Sequence, residues 1–152
     1  MKSPLPLAGF IQIALVVDDM DRALDAWCDL LDIARPSIRV TEPEPNPHET
    51  YRGQTACYGL KFAVIECRDR GFVIELHEPD ENPSTFREFL DTHGNGVHHI
   101  GFQVGEARDT VVGDLEHLGY ALRNMGTYPG GSWTVLDGEA TLGVNLNIKP
   151  CP

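Results

Sequence analysis

The sequence lacks the features that mark secreted, membrane-spanning or zinc-knuckle proteins. Its four cysteines form no Cys-x-x-Cys pair, so no zinc knuckle is expected and the thiols are predicted to be free. No apolar run reaches the roughly 18 residues that a transmembrane helix needs. Residues 1–7 hold one lysine and two prolines instead of the apolar stretch of a signal peptide. We therefore expect a cytoplasmic protein in a reducing environment, with no membrane partner.

Positive charge is also scarce. Lysine and arginine number 12 against 23 aspartates and glutamates, which gives a formal net charge of -11. Such a surface repels phosphate backbones and anionic lipids, so nucleic acid is not an expected partner. It does not forbid an anionic small substrate, because a local group of cations or a bound metal can reverse the field inside a pocket.

What is present is typical of a small globular protein. The 152 residues are 41% hydrophobic and 23% charged, enough for one domain or for two very small fused modules. Residues 10–17 (FIQIALVV) predict a buried strand, and the spacing of apolar residues after Asp19 predicts a helix that covers it. The proline-rich residues 41–50 (TEPEPNPHET) predict a solvated loop that borders the site entrance. Residues 57–67 and 72–78 then predict a hairpin of two strands.

The same order of elements begins again after a short helix capped by Ser84 or Thr85 and ended by Gly94. A shift of 87 positions places His99 on Gln12 and keeps a strand and a helix aligned without a gap over more than twenty residues. This repeat favours duplication. It predicts a first module over residues 8–79, a linker with a short helix over 80–95 and a second module over 96–150.

Four polar positions stand out in the predicted strands, because alternate residues of a strand share one face. Gln12 and His99 are equivalent in the repeat, and Glu75 and Asn147 lie between apolar residues in the last strand of each module. We therefore expect these four side chains to meet in one cavity. Their oxygen and nitrogen atoms suit one divalent ion such as Zn, Ni, Co, Mn or Mg, which would polarise two neighbouring substrate oxygens.

Residues 74–79 (IELHEP) and 84–104 (STFREFLDTHGNGVHHIGFQV) resemble methylmalonyl-CoA epimerases and glyoxalase I relatives of the vicinal oxygen chelate superfamily. The resemblance extends from about residue 10 to residue 150. It implies an α+β fold in which two βαβββ modules, related by pseudo-twofold symmetry, form one cupped sheet. It also implies a divalent metal bound by Gln12, Glu75 and His99, together with a glutamate at the position of Asn147.

Asn147 departs from that pattern, because an amide has no titratable proton near neutral pH and is no general base. Epimerases also use a second acidic residue from the third strand, and alignment through Gly59 places Phe62 there. Two functions therefore stay open. One is a glyoxalase-like, metal-dependent lyase or isomerase acting on a small oxygenated substrate. The other is a metal-free binding or sequestering protein of the bleomycin-resistance type. Ring-cleaving dioxygenase chemistry fits less well, since Gln12 and Asn147 both depart from its two-histidine, one-carboxylate set.

Further side chains are candidates for contact with the small-molecule ligand or substrate. His77 shares the face of Glu75, and the others are expected near the cavity: Gln103, Phe62, Tyr58, Trp133. His98 is expected to point away from His99 and to form a hydrogen bond under the helix. We also expect a homodimer, because the edges of small open sheets aggregate unless they are paired or covered.

Overall fold

The computed structural model describes residues 4–151 and contains one mixed sheet of ten strands, four α-helices and three short 3-10 turns. The strands are β1 (Phe10–Val16), β2 (Arg39–Thr41), β3 (Pro45–Tyr51), β4 (Gln54–Cys57), β5 (Leu60–Cys67), β6 (Phe72–Pro79), β7 (Gly96–Gln103), β8 (Leu122–Tyr128), β9 (Gly131–Leu136) and β10 (Asn145–Lys149). The helices are α1 (Met20–Leu31), α2 (Thr85–His93), α3 (Arg108–His117) and α4 (Glu139–Leu142).

The two halves of the chain meet in the middle of the sheet. The strand order is β2-β5-β6-β1-β7-β10-β9-β8-β3-β4. β1 and β7 pair antiparallel at the centre, β1 is parallel to β6, and β7 is parallel to β10. Equivalent strands of the two halves therefore lie on either side of one pseudo-twofold axis. The predicted α+β fold with a cupped sheet is confirmed.

The prediction of a solvated loop over residues 41–50 was wrong, because most of this stretch is strand β3. β3 pairs with β8 through Glu49 opposite Gly126 and Tyr51 opposite Asn124, and it also pairs with β4. The first half of the chain thus carries one hairpin more than a βαβββ unit, and this hairpin extends the sheet of the second half. Prolines are compatible with such a strand at its first residue and where the ladder is irregular, as it is between Asn46 and Thr50.

Helix α1 covers the outer face of the first half. The side chain of Asp19 accepts a hydrogen bond from the backbone nitrogen of Arg22 and so caps the helix. Buried Met20, Leu24 and Cys28 pack against β5 and β6. Leu30 is apolar but lies outside this stripe and is 76% exposed. It lies two residues beyond Cys28 and therefore roughly 200° around the helix.

Two other helices complete the core. α3 packs Val111 and Leu115 against β9 and β10 on the outer face of the second half. α2 joins the halves and lies against β1. The side chain of Ser84 caps α2 and Gly94 ends it, as predicted. Within residues 4–151 no helix is both long and apolar enough to cross a membrane.

Candidate functional site

The inner face of the sheet encloses a cavity of about 700 Å³. Its floor is formed by the central strands β6, β1, β7 and β10, while β5, β9 and the β3–β4 hairpin supply the walls. α2 contributes Phe86 from one side. The volume is that of a typical small-molecule site.

The four predicted polar side chains all line this cavity. They come from the four central strands, and each is mostly or fully buried: Gln12 from β1, Glu75 from β6, His99 from β7 and Asn147 from β10. Strand alternation is the reason, because each residue faces the side of the sheet opposite to α1 and α3. The repeat alignment therefore located one shared floor from sequence alone.

Asn147 is held in one orientation by its hydrogen bonds. Its Oδ1 accepts a hydrogen bond from the backbone nitrogen of Thr134 at 3.1 Å. Rotating the amide by 180° would bring its NH2 group against that N–H donor, so the orientation is fixed. Its Nδ2 donates to Gln12 Oε1 at 3.2 Å and contacts His99 Nε2 at 3.5 Å. Asn147 thus directs an N–H donor, not an oxygen, at its neighbours in the floor.

Gln12 depends on the residue beside it. Gly101 lies opposite Gln12 in the β1–β7 ladder, and a Cβ on Gly101 would come within 2.2 Å of Gln12 Oε1. Position 101 must therefore be a glycine for Gln12 to keep this place. Gln12 also forms a hydrogen bond with Glu75. Burial raises the pKa of the Glu75 carboxyl, while the charge of Lys149 and this hydrogen bond oppose the rise.

His99 is positioned by its sequence neighbour. Ala14 pairs with His99, but Leu15 pairs with Val97, so His98 is the additional residue of a β-bulge. His98 Nδ1 consequently lies 2.8 Å from His99 Nδ1, and His98 Nε2 lies 2.9 Å from Thr85 Oγ1. The expected bond under the helix is present. The expectation that the two rings point apart was wrong, because a bulge interrupts the alternation of side chains.

All three buried histidines are neutral near pH 7. Burial lowers the pKa of His77 to about 4 and the pKa of His98 to about 3. Burial and the neighbouring His98 lower the pKa of His99 well below its ordinary value. A neutral imidazole keeps a lone pair on one ring nitrogen and can accept a hydrogen bond there.

Aromatic rings form the walls. The His77 ring is stacked between Phe62 and Phe86, with ring centroids 5.1 and 4.6 Å away. Across the cavity Trp133 stacks on Tyr128 at 6.0 Å. The predicted contact residues His77, Phe62, Tyr58 and Trp133 all line the cavity. Gln103 lies at the end of β7 beside Lys149 and is outside the lining.

Glu49 is a lining residue that the sequence reasoning missed. It is 7% exposed, and its carboxylate accepts hydrogen bonds from the Tyr58 hydroxyl and from Asn124 Nδ2, the latter at 2.9 Å. Asn124 in turn accepts from Trp133 Nε1 at 2.9 Å. Glu49 thus brings a carboxylate into the cavity from β3. No local signal marked it, since the prolines and glutamates around it resemble a solvated loop.

The floor fits a four-ligand metal site only in part. Gln12 Oε1, the Glu75 carboxylate and His99 Nε2 are atoms that bind divalent ions. Asn147 presents an NH2 group, which is no ligand, and its oxygen is already engaged by Thr134. The four residues together therefore do not fit the ion as a complete set.

Comparison with known proteins gives a family match and a set of similar folds. Residues 11–136 match the family model described as the Glyoxalase/Bleomycin resistance protein/Dioxygenase superfamily. No curated protein matches the sequence significantly.

The solved structures are similar in fold at low identity. Methylmalonyl-CoA epimerase from Mycobacterium tuberculosis has a TM-score of 0.63 at 20% identity, over 100% of this chain and 94% of that one. A hypothetical protein from Bacillus halodurans has a TM-score of 0.61 at 21% identity, over 92% and 91%. A mutant of 4-hydroxymandelate synthase from Streptomyces coelicolor has a TM-score of 0.62 at 14% identity, over 100% of this chain and 51% of that one. At these identities the similarity establishes the fold alone.

Proposed function

Because the chain belongs to the glyoxalase/bleomycin resistance protein/dioxygenase superfamily, we propose that it binds a small organic molecule in its cup without a metal ion held by the four floor residues. The observation that carries this proposal is the orientation of Asn147. Its amide nitrogen donates to Gln12 Oε1 and faces His99 Nε2, two atoms that a chelate site would direct at the metal. The floor is thereby satisfied by hydrogen bonds among its own side chains.

The side chains that line the cavity indicate the shape and the hydrogen-bonding groups of such a ligand. Two aromatic walls, Phe62 with His77 and Tyr128 with Trp133, favour a flat, largely apolar body. Glu49 and Glu75 provide carboxylate oxygens that accept hydrogen bonds. The ligand is therefore expected to be a planar molecule that carries O–H or N–H groups.

A metal-dependent lyase or isomerase is the second candidate. Gln12, Glu75 and His99 keep three potential ligand atoms around one cavity, which supports this reading. When bound, a divalent ion would polarise oxygens of the substrate. Glu49 would then be the available carboxylate for proton transfer, since Asn147 carries no titratable proton.

Elemental analysis separates the two candidates. Protein purified without chelator, then dialysed against Ni²⁺ and freed of excess, is expected to retain far less than one equivalent of metal. Small molecules released by denaturation are identified by mass spectrometry in the same preparations, and Glu49→Gln is expected to reduce their amount. About one equivalent of metal, lost in both Glu75→Gln and His99→Ala, would contradict the metal-free cup and favour the enzyme.

The cytoplasmic location and the homodimer expected from the sequence stay predictions.

A further inference from the structure

A buried chain of side chains leads from the cavity floor to the start of α2. Thr85 Oγ1 lies 2.9 Å from His98 Nε2, and His98 Nδ1 lies 2.8 Å from His99 Nδ1. Both distances are those of ordinary hydrogen bonds. Thr85 and His98 are 0% exposed, and His99 is 3% exposed. Water therefore does not replace these contacts.

The direction of each bond follows from the fixed amide at the other end. Thr134 holds the oxygen of Asn147, so the amide nitrogen faces His99 Nε2. A proton on Nε2 would point at that NH2 group, which favours the tautomer of His99 with its proton on Nδ1. The Nδ1–H of His99 then donates to His98 Nδ1. Since that nitrogen accepts, His98 carries its own proton on Nε2 and donates it to Thr85.

We propose that Thr85 and His98 are positioning residues that hold His99 as its Nδ1–H tautomer and so keep an unprotonated Nε2 facing the cavity. This nitrogen accepts a hydrogen bond from an O–H or N–H group of the ligand. The hydrogen bond to a ligand rests on the ligand cup proposed above, but the tautomer of His99 is a property of the free protein.

Two observations indicate that the backbone holds the His98 and His99 rings in contact. First, the bulge at His98 costs a ladder position in the central strand, and without it consecutive rings would lie on opposite faces. Second, the carbonyl of His98 accepts a hydrogen bond from Asn145 Nδ2 at 3.0 Å, which secures the bulged backbone. The contact between Asn147 and His99 is 3.5 Å, the long limit of a hydrogen bond, so a ligand donor replaces it at little cost.

Nitrogen-15 NMR of the imidazoles tests the proposal without a ligand. In wild-type protein, long-range proton–nitrogen correlations are expected to show His99 Nε2 and His98 Nδ1 as unprotonated nitrogens. His99→Gln and His98→Gln provide the assignments. A wild-type spectrum with the proton on His99 Nε2 would overturn the proposal. This outcome is independent of whether the cup binds a molecule, so failure of the proposed function is measured separately.

The role of Thr85 is tested with a matched pair of variants. Thr85→Val has a similar volume but no hydroxyl, so the Nε2–H of His98 loses its acceptor. We expect the proton of His98 to move to Nδ1 and the His99 Nε2 resonance to move toward the protonated position. Thr85→Ser keeps the hydroxyl and is expected to retain the wild-type spectrum.

Unchanged tautomers in Thr85→Val would overturn the positioning role. If Thr85→Val does not fold, His98→Phe takes its place, because a phenyl ring keeps the packing against Phe86 and Phe89, whose centroids lie 5.0 and 5.4 Å from the His98 ring. In that variant His99 loses its acceptor, and only the long 3.5 Å contact with Asn147 still favours the proton on Nδ1, so His99 is expected to show both tautomers. A single Nδ1–H tautomer in His98→Phe would overturn the proposal.

Discussion

Asn147 Nδ2 donates a hydrogen bond to Gln12 Oε1 at 3.2 Å and thereby joins the last strand of the second half to the first strand of the first half. The two residues are 135 positions apart in the sequence. This bond occupies Gln12 Oε1, an oxygen that a metal ion would need as a ligand. Replacing Asn147 with a glutamate, whose carboxylate could bind a metal ion, is therefore the most direct test of whether the floor binds metal.

Asn147→Glu is expected to destabilise the protein when no metal is present. The new carboxylate has no N–H to donate and faces the acceptor oxygen of Gln12, and a lost buried hydrogen bond costs about 1–3 kcal/mol. Thermal unfolding with and without Ni²⁺ or Co²⁺ measures this. We expect both wild type and variant to be indifferent to the metal.

The control is Gln103→Glu, which adds a carboxylate at the end of β7 outside the cavity lining and is expected to have a smaller effect. A wild-type protein that is itself stabilised by Ni²⁺ would contradict the metal-free cup. If the metal raises the thermal stability of Asn147→Glu but not of wild type, then Gln12, Glu75 and His99 are still placed to bind a metal ion, and the Asn147 amide alone prevents it.

Gly101→Ala is expected to displace Gln12 and disturb the floor. An alanine Cβ would lie 2.2 Å from Gln12 Oε1 and 2.7 Å from Gln12 Cβ, so the glutamine must leave its place. Overpacking of this kind costs about 1–3 kcal/mol. Chemical denaturation gives the change in the free energy of unfolding.

Gly113→Ala is the matched control, since a Cβ there meets no atom within 4 Å in helix α3. It is expected to leave stability equal or to increase it, by up to about 1 kcal/mol, because alanine is the better helix former. Equal losses in both variants would show that Gly101 has no special part in seating Gln12.

Acid is expected to destabilise the protein through Glu139. Burial alone would raise its pKa, but hydrogen bonds from His93, Asn145 and Arg123, with the charge of Arg123, lower the pKa from 4.5 to about 2. Because the folded pKa is below the unfolded one, the unfolded state binds more protons between these values. The stabilisation by Glu139 is therefore complete above the unfolded pKa and is lost as the pH falls toward about 2.

Urea denaturation of wild type and Glu139→Gln across this pH range measures the effect. The difference in free energy of unfolding between them is expected to shrink as the pH falls. Glu106→Gln removes one exposed carboxylate and controls for net charge. A difference that stays constant down to the lowest pH would refute the role of Glu139.

A homodimer is expected from the exposed edge of the sheet. β2 ends the sheet on one side, all three of its residues are exposed, and Val40 is 63% exposed. Unpaired edge strands tend to pair with another chain, and a lysine on the edge opposes this. Sedimentation at micromolar concentration is expected to give twice the chain mass for wild type and a lower mass for Val40→Lys. Leu142→Lys, at an exposed position on α4, is the control. A wild-type monomer would refute the prediction.

Much of the fold and of the floor follows from local patterns. Strand alternation and the repeat placed Gln12, Glu75, His99 and Asn147 on one face, because the direction of a side chain in a regular strand depends only on its position. Helix α2 was marked by Ser84 and Gly94, whose capping roles are also local.

The tertiary structure decided what depends on distant partners. β3 is a strand because β8 pairs with it, and the bond from Asn124 to Glu49 spans 75 positions in the sequence. Proline-rich residues with no local strand signal therefore became a cavity wall, and Glu49 entered the site with them. The bulge at His98 likewise arises where β7 fits its register to β1. Sequence periodicity determines which face a regular strand presents, whereas pairing partners and breaks in register are set by non-local contacts that the periodicity does not contain.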